Sequence, residues 1–146
     1  MERVENAKVI NATPCSYNGI DFKSKLEMNI YKAIESEGYA PLYEPITFTI
    51  WNGFKPRIPF YKKNKSSRKM ALENTKIRDI TYTPDFIFDY CNHKIIIEAK
   101  GFCNDVFPIK KKLFRKWLEE HPECLYFEVY SKKNILQTID IIKQLN

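Results

Sequence analysis

Apolar residues recur with helical spacing in three segments of the chain. The first segment, over residues 22–34, predicts an amphipathic helix that Asp21 or Ser24 could cap. A second helix is predicted over residues 108–120, where a proline is acceptable in the first turn. A third helix is predicted to follow the N-cap Ser131 and to turn one apolar face inward. The inward positions of this third helix are Ile135, Ile139 and Ile142.

Five further segments show apolar alternation or short β-branched runs, which predict strands. The turn residues Asn92-His93 would join two of these strands in a hairpin. Helices and strands in this order predict an α/β fold, with one mixed sheet flanked by helices, in a single domain over residues 1–146. The predicted strands cover residues 46–50, 80–82, 86–88, 94–99 and 125–130.

Two regions lack a clear period. Residues 1–20 contain turn signals, and we interpret them as an N-terminal arm. Residues 51–75 contain glycine, prolines and adjacent serines, which predicts a long, mobile loop inserted into the fold.

Positive charge is concentrated in this loop. The chain has a net charge of +6, and seven basic residues but no acid lie between Trp51 and Leu72. A second basic cluster lies at residues 110–116. Clustered cations favour a polyphosphate partner, because each neutralised phosphate releases a counterion; a lysine-rich solvated surface, an acidic protein or a membrane surface are the alternatives. The residues expected to contact nucleic acid are Lys55, Arg57, Lys62, Lys63, Lys65, Arg68, Lys69, Lys111, Lys112 and Arg115.

Other sequence features narrow the function classes. The apolar runs are too short to cross a bilayer and no export signal is evident, so we expect a cytoplasmic protein without a membrane partner. No P-loop or G-x-S-x-G motif is present, so a nucleotide cofactor or acyl transfer has no support. The four cysteines are expected to be reduced thiols. An alternative is an interaction protein stapled by zinc on Cys91, His93, Cys103 and Cys124.

The strongest candidate chemistry lies at the end of the Ile-rich strand. In a strand, residues two apart share a face, so Glu98 and Lys100 point the same way. Asp85 opens the preceding strand, and a hairpin would bring it beside Glu98. Two adjacent carboxylates repel each other unless a hard cation such as Mg²⁺ lies between them. The alternative is a surface ion pair between Glu98 and Lys100, with Asp85 in an ordinary turn.

Two further residues are candidates with strong alternatives. Glu27 borders the apolar face of the first helix, and Ser24-x-x-Glu27 also matches a capping box. Lys110 lies within the predicted apolar face of the second helix, made by Ile109, Leu113 and Phe114, near the sheet end that carries Glu98. A lysine there either extends to solvent along the helix end or reaches into the site.

Several motifs together resemble a known superfamily. T-P-D-F at 83–86, I-I-E-A-K-G at 96–101 and S-K-L-E at 24–27 resemble the PD-(D/E)XK nucleases. The segments at 17–27, 76–86 and 105–114 are similar to a family of small phage and prophage proteins, which is grouped with Holliday-junction-resolvase-like nucleases. The likeness covers about residues 6–120.

The resemblance implies a fold and a set of roles. The fold would be a restriction-endonuclease-like αβββαβ core carrying the long basic insertion. Asp85, Glu98 and the carbonyl of Ala99 would bind Mg²⁺ or Mn²⁺, with Glu27 joining directly or through water. Lys100 would be the catalytic lysine, and Lys110 would match a helix lysine often found near such sites.

These observations converge on one functional hypothesis. We expect a metal-dependent endonuclease of phage or prophage origin that cleaves DNA, with branched or junction DNA as the expected substrate. A resolvase role would imply a homodimer. The alternatives are a nucleic-acid-binding module of the same fold that no longer cuts, and the zinc-stapled interaction protein.

Overall fold

The computed structural model describes residues 13–58, 60–101 and 106–146. Within these ranges the chain forms three helices, α1 (Lys25–Ser36), α2 (Phe107–Leu118) and α3 (Lys132–Lys143), and ten strands. No helix in the described ranges is long and apolar enough to span a membrane. The strands are β1 (Cys15–Tyr17), β2 (Ile20–Phe22), β3 (Leu42–Tyr43), β4 (Phe48–Trp51), β5 (Phe60–Lys63), β6 (Met70–Glu73), β7 (Ile80–Tyr82), β8 (Phe86–Tyr90), β9 (His93–Ala99) and β10 (Cys124–Val129).

A four-stranded mixed sheet forms the centre of the fold. Its strand order is β10-β9-β8-β3; β10 runs parallel to β9, and the other pairs are antiparallel. The predicted hairpin between β8 and β9 is confirmed, with Phe86 opposite Ile97. Its turn lies one residue earlier than predicted, at Cys91-Asn92, where both residues have positive φ angles as a tight hairpin turn requires.

Side-chain alternation along β9 divides the core into two layers. Ile95 and Ile97 pack on one face of the sheet with residues of α1 and α3. Ile96 points to the other face, where it packs with Phe114 of α2. The α/β class and a mixed sheet flanked by helices are therefore confirmed. The expectation of one sheet is wrong, because β1–β2, β4–β7 and β5–β6 form separate two-stranded sheets. Full burial of each isoleucine contributes roughly 1.5–3 kcal/mol, so β9 is a main source of stability.

The helix boundaries follow the local capping chemistry. Ser24 caps α1 and Ser131 caps α3, each accepting a hydrogen bond from a backbone N–H three residues later. The predicted inward face of α3 is confirmed. The predicted apolar face of α2 is wrong at Ile109. Ile109 is exposed, whereas Lys111 is half-buried and forms an ion pair with Glu128 of β10.

The predicted mobile loop is a β-ribbon. Its base is the antiparallel pair β4–β7, which continues through a bridge between Phe54 and Ile77 into the hairpin β5–β6. Gly53 permits this course, because a Cβ atom there would lie 2.0 Å from the carbonyl oxygen of Ile77. We call residues 48–58 and 60–82 the ribbon arm. Glycine, proline and polar residues in this segment predict a loop. The structure instead pairs the backbones of two strands here, and such pairing produces no apolar period in the sequence.

The N-terminal region also differs from the prediction. Residues 15–22 form a hairpin, β1–β2, whose turn residues Asn18 and Gly19 have positive φ angles. Phe22 at its end is buried against the first core layer. This part of the predicted arm therefore belongs to the folded core. Residues 1–12 lie outside the described ranges.

Candidate active site

Charged side chains in the interior concentrate at one end of the central sheet. Among the described residues, five polar side chains are buried, and four of them are candidates from the sequence. Burial of a charge is costly unless it has a partner. The exposed fractions are 7% for Glu27, 5% for Asp85, 2% for Glu98 and 5% for Lys100.

Glu98 and Lys100 form a buried ion pair at the end of β9. Their Oε1 and Nζ atoms lie 3.1 Å apart, and both side chains are almost fully enclosed. The ammonium of Lys100 also lies 2.8 Å from the ring centroid of Phe107, at the start of α2. The predicted shared face is confirmed, but the pair is not on the surface. The lysine is therefore held between a carboxylate and an aromatic ring.

Asp85 lies directly across the hairpin from this pair. The register of Phe86 opposite Ile97 puts Asp85 one position further, beside Glu98. Its Oδ2 accepts a 2.7 Å hydrogen bond from the backbone N–H of Ala99. Its own backbone carbonyl accepts a 2.8 Å bond from the N–H of Glu44. The hairpin therefore brings the two predicted carboxylates together.

Glu27 is buried at the start of α1, and only part of the capping box forms there. Its backbone N–H donates to Oγ of the cap Ser24 at 3.2 Å, as a capping interaction requires. Its carboxylate does not complete the capping box, because Oε2 accepts from the N–H of Lys23 at 3.1 Å and from the hydroxyl of Tyr43 at 2.7 Å. The carboxylate is thus oriented by partners outside the helix.

Two tyrosines that the sequence analysis missed hold the carboxylates. Tyr82 of β7 donates a 2.6 Å hydrogen bond to Oε2 of Glu98, just as Tyr43 of β3 donates to Glu27. Burial, together with the charge of the adjacent carboxylate, raises the pKa of both tyrosines well above the ordinary value. Both hydroxyls therefore remain protonated donors at neutral pH. The one available signal was the position of Tyr82, three residues before Asp85 in T-Y-T-P-D.

The negative potential of these carboxylates extends to the protein surface. Lys23 pairs with Glu44, which adjoins β3. This hydrogen bond raises the pKa of Lys23 against the opposing effect of partial burial, and the charges of Glu27 and Asp85 add to the increase. Glu27 and Asp85 therefore act on the same exposed cation.

The lysines of α2 differ from the prediction in their partners. The side chain of Lys110 is half-buried, and among the described residues no hydrogen bond or ion pair links it to Asp85 or Glu98. Lys111 instead pairs with Glu128, which is the register partner of Glu98 on β10. Although burial opposes it, hydrogen bonding from Lys111 and Tyr130 lowers the pKa of Glu128. Lys111 therefore forms an ion pair with β10, the strand beside the site. A role of Lys110 in the site stays a prediction.

A family model matches residues 7–133 of the chain. The chain belongs to the family described as "Protein of unknown function (DUF1064)". This match includes all five candidate residues, from Glu27 to Lys110. No curated protein and no solved structure matches the chain. Membership in DUF1064 therefore does not indicate an activity, and the residues of the site are the basis for proposing one.

The charge balance of the site in this DUF1064 chain fits a divalent cation. By formal charge, the carboxylates of Glu27, Asp85 and Glu98 and the ammonium of Lys100 sum to −2 in a buried cluster. Carboxylate and carbonyl oxygens are the ligands that Mg²⁺ prefers, usually with one or two carboxylates and several waters. Across the described ranges, no three His, Cys, Asp or Glu side chains form a metal-binding group. Among the described residues, a metal ion would therefore meet fewer than three of these side chains together, and Asp85 and Glu98 are the pair that the hairpin places side by side.

The cysteines of the DUF1064 chain do not assemble with histidine in the part that the structure describes. Cys91 is exposed and contacts Asn146, and the Nδ1 atom of His93 lies 2.8 Å from the carbonyl oxygen of Cys91. Cys124 is a free thiol, and Cys103 lies outside the described residues. The observed contacts of Cys91 and His93 are those of an ordinary tight turn.

Most of the basic residues predicted to contact nucleic acid lie on the ribbon arm. Lys55 donates to the carbonyl oxygen of Asn74 at 2.6 Å, and Lys62 pairs with Glu73 at 3.4 Å. On α2, Lys111 pairs with Glu128, whereas Lys112 and Arg115 are exposed. Arg57 is exposed between the Phe54–Ile77 bridge and β5, and the arm residues with exposed side chains at or near the tip are Lys63, Lys65, Arg68 and Lys69.

Proposed function

We propose that this protein is a Mg²⁺- or Mn²⁺-dependent endonuclease that hydrolyses DNA phosphodiester bonds. The observation that carries the proposal is the burial of Asp85, Glu98 and Lys100 together at one end of the β8–β9 hairpin. The helices and central strands follow the order α1-β3-β8-β9-α2-β10, which is the αβββαβ order expected for a PD-(D/E)XK nuclease. The net basic charge supports a DNA substrate.

The residues divide the chemistry between metal binding and charge stabilisation. Asp85, Glu98 and the carbonyl of Ala99 would hold the ion, with Glu27 joining directly or through water. When bound, the ion supplies Lewis-acid neutralisation of the phosphate and lowers the pKa of coordinated water. Lys100 holds its proton at Nζ beside Glu98, where it can orient the attacking water or stabilise charge that develops on the phosphate. Tyr82 and Tyr43 keep the carboxylates in place.

The substrate and assembly form part of the same proposal. A branched or junction DNA suits a protein with a basic extension beyond its catalytic core, because such a DNA offers backbone contacts outside one duplex. Cutting both strands of a symmetric junction requires two sites related by a two-fold axis, which a homodimer supplies. Such an enzyme would act in the cytoplasm of a bacterium or of a phage-infected host.

One observation favours a second candidate, a DNA-binding module of the same fold that does not cut. Both oxygens of Glu98 already have protein donors, Lys100 on Oε1 and Tyr82 on Oε2. An ion pair satisfied in this way can serve stability alone. The two candidates differ in one measurable property, since only the nuclease cleaves its ligand.

A cleavage panel decides between them. Labelled four-way junction, flap, single-stranded and duplex DNAs of shared sequence are incubated with excess protein and Mg²⁺, Mn²⁺, Ca²⁺ or EDTA. The nuclease should cut with Mg²⁺ or Mn²⁺, and Asp85→Asn should abolish cutting while DNA binding persists. Asp89→Asn is the matched control, because Asp89 is an exposed aspartate on the same strand and should leave cutting unchanged. DNA binding without cleavage of any substrate supports the binding module, and full activity in EDTA contradicts the metal mechanism.

A further inference from the structure

The ribbon arm exposes more apolar surface than a solvated hairpin needs. Large exposed apolar side chains follow it from its base to its tip, and Ile58 and Met70 are 81% and 68% exposed. Large exposed apolar residues that are this numerous on one element indicate that part of its surface binds a partner. The residues are Trp51, Phe54, Ile58, Phe60, Tyr61, Met70, Leu72 and Ile77.

The two faces of the β5–β6 hairpin are chemically different. Tyr61 pairs with Leu72 and Lys63 with Met70, so one face presents three apolar side chains and a single cation. The opposite face carries Phe60 and Ala71 beside Lys62 and Glu73, and these last two form an ion pair. The charge of that face is thus compensated within the protein. The face of Tyr61, Met70 and Leu72, which we call the Tyr61 face, has no acid.

The tip of the hairpin holds further cations in a defined turn. The side-chain oxygen of Asn64 accepts hydrogen bonds from the N–H groups of Ser66, at 2.9 Å, and Ser67, at 3.1 Å. Arg68 adopts a positive φ of 58°, which closes the turn back toward β6. The turn therefore presents further exposed cations at the end of the hairpin whose strands carry the Tyr61 face. These cations are Lys65, Arg68 and Lys69.

An apolar face bordered by cations fits a nucleic acid with exposed bases. Intact duplex DNA presents phosphates and base edges, whereas a single strand also offers flat apolar base faces for stacking. Flanking phosphates then meet the cations at the tip. A second copy of the chain is a poorer occupant, because seven basic residues on one arm would face the same charge on the other.

We propose that the ribbon arm binds unpaired bases in the DNA substrate, with Tyr61, Met70 and Leu72 stacking on base faces while the tip cations contact flanking phosphates. This inference rests on the proposed function for the class of partner, a DNA. The inference also specifies which feature of the DNA the arm recognises, namely unstacked bases at a branch, flap or loop. The base of the arm packs on α2 through Phe48 and carries Tyr82, which contacts Glu98, so the bound branch is held by the element that borders the site.

The test measures DNA binding in EDTA, where cleavage plays no part. Fluorescence anisotropy compares a labelled single strand, the matched duplex, and the same duplex with an internal loop of unpaired bases. Wild-type protein should bind the single strand and the looped duplex roughly tenfold or more tightly than the duplex, since each stacked base contributes strongly. Tyr61→Ser and Leu72→Ser should each lose most of that preference. Leu136→Ser is the control, because Leu136 on α3 is 59% exposed against 55% for Leu72.

Two further readouts separate stacking from charge. Emission of a 2-aminopurine base in the loop should change on binding of wild-type protein and respond much less to Tyr61→Ser. The salt dependence should be unaffected by Tyr61→Ser, whereas Lys63→Ala with Lys65→Ala should reduce its slope by about 0.9 per phosphate contact on duplex and about 0.7 on a single strand. Circular dichroism of each variant should match wild-type protein, because these side chains are exposed.

Three outcomes would overturn the inference in distinguishable ways. Equal wild-type affinity for duplex and looped DNA, or an unchanged preference in Tyr61→Ser, would show that the arm does not read unpaired bases. A shift from dimer to monomer in Tyr61→Ser by sedimentation, with the DNA preference retained, would make the Tyr61 face a contact between copies. Absence of binding to any of the three DNAs would instead refute the proposed function itself.

Discussion

The hydroxyl of Tyr82 donates a 2.6 Å hydrogen bond to Oε2 of Glu98. The other oxygen of that carboxylate accepts from Lys100, so Glu98 is fixed by one donor from β7 and one from the residue that follows β9. The ring of Tyr82 also packs against Phe114 of α2, with centroids 4.6 Å apart. One tyrosine therefore connects the base of the ribbon arm, the second core layer and the candidate metal ligand.

We expect Tyr82→Phe to weaken metal binding while the fold persists. The substitution keeps the ring contact with Phe114 and removes only the donor to Glu98. Loss of an outer-shell hydrogen bond typically reduces metal affinity or activity by roughly 10–100-fold. Single-turnover cleavage rates across a Mg²⁺ titration should show a higher half-saturating concentration. Tyr90→Phe is the control, because the hydroxyl of Tyr90 bonds Asn146 away from the site. An unchanged Mg²⁺ dependence in Tyr82→Phe would limit Tyr82 to a packing role.

Metal binding should also be visible without DNA. A ligand that binds only the native state stabilises it by about 2.7 kcal/mol at a concentration a hundredfold above its dissociation constant. For a domain of this size this corresponds to a rise in melting temperature of roughly 5–10 °C. Thermal unfolding with Mg²⁺ and with EDTA should show this rise in wild-type protein and in Asp89→Asn. Glu98→Gln should not respond to Mg²⁺, because it removes a carboxylate ligand. A similar rise in Glu98→Gln would place the ion elsewhere.

The site was predictable because strand periodicity fixes side-chain direction. Once residues 94–99 are a strand with Ile95 and Ile97 in the core, Glu98 must lie on the other face. The hairpin then brings Asp85 beside it through chain connectivity alone. Burial of Glu27 also follows from helical spacing. Local rules of strand and helix periodicity therefore identify these residues as candidates. The same rules do not predict that their side chains are buried against an aromatic ring and two tyrosines.

The ribbon arm and the two tyrosines were not predictable for a shared reason. Strand β5 is exposed along its whole length and no residue of β6 is fully buried, so their sequences lack the apolar alternation that marks a half-buried strand. Their order comes from backbone pairing, which any residue type can make. Tyr43 and Tyr82 reach the carboxylates only after distant segments have packed. Contacts of that kind leave no spacing signal in the chain.

Gly53→Ala should disturb the ribbon arm selectively. A Cβ atom at this position would meet the backbone of Ile77 and Arg78 at 2.0 and 2.6 Å, so the two sides of the ribbon must separate. Hydrogen exchange should become faster at the amides of β5 and β6, while β8 and β9 keep their protection. DNA affinity should fall because the arm is displaced. Ile58→Ala is the control for hydrogen exchange, since Ile58 is highly exposed and the change leaves the backbone path free. If the β5 and β6 amides of Gly53→Ala exchange as slowly as those of wild-type protein, the arm tolerates the wider spacing between its two sides.

Lys100 and Lys110 should respond differently to the same substitution. Lys100→Met keeps an unbranched stem but leaves Glu98 buried without its cation, and breaking a buried pair costs about 3–5 kcal/mol. We therefore expect lower thermal stability and a cleavage rate reduced by roughly 10²–10⁴-fold. The double variant Lys100→Met with Glu98→Gln should regain stability without regaining activity, which separates folding from chemistry.

Lys110→Met then tests the remaining candidate. Lys110 is half-buried, so the swap removes a charge and keeps the packing of its stem, and thermal stability should stay equal or rise. If Lys110 reaches the site when DNA is bound, single-turnover cleavage with saturating enzyme should fall while binding weakens only mildly, and we expect this result. Lys111→Met is the contrasting variant, because it breaks the pair with Glu128 and should lower stability instead. Unchanged turnover in Lys110→Met would assign Lys110 to the helix surface and leave Lys100 as the lysine of the site.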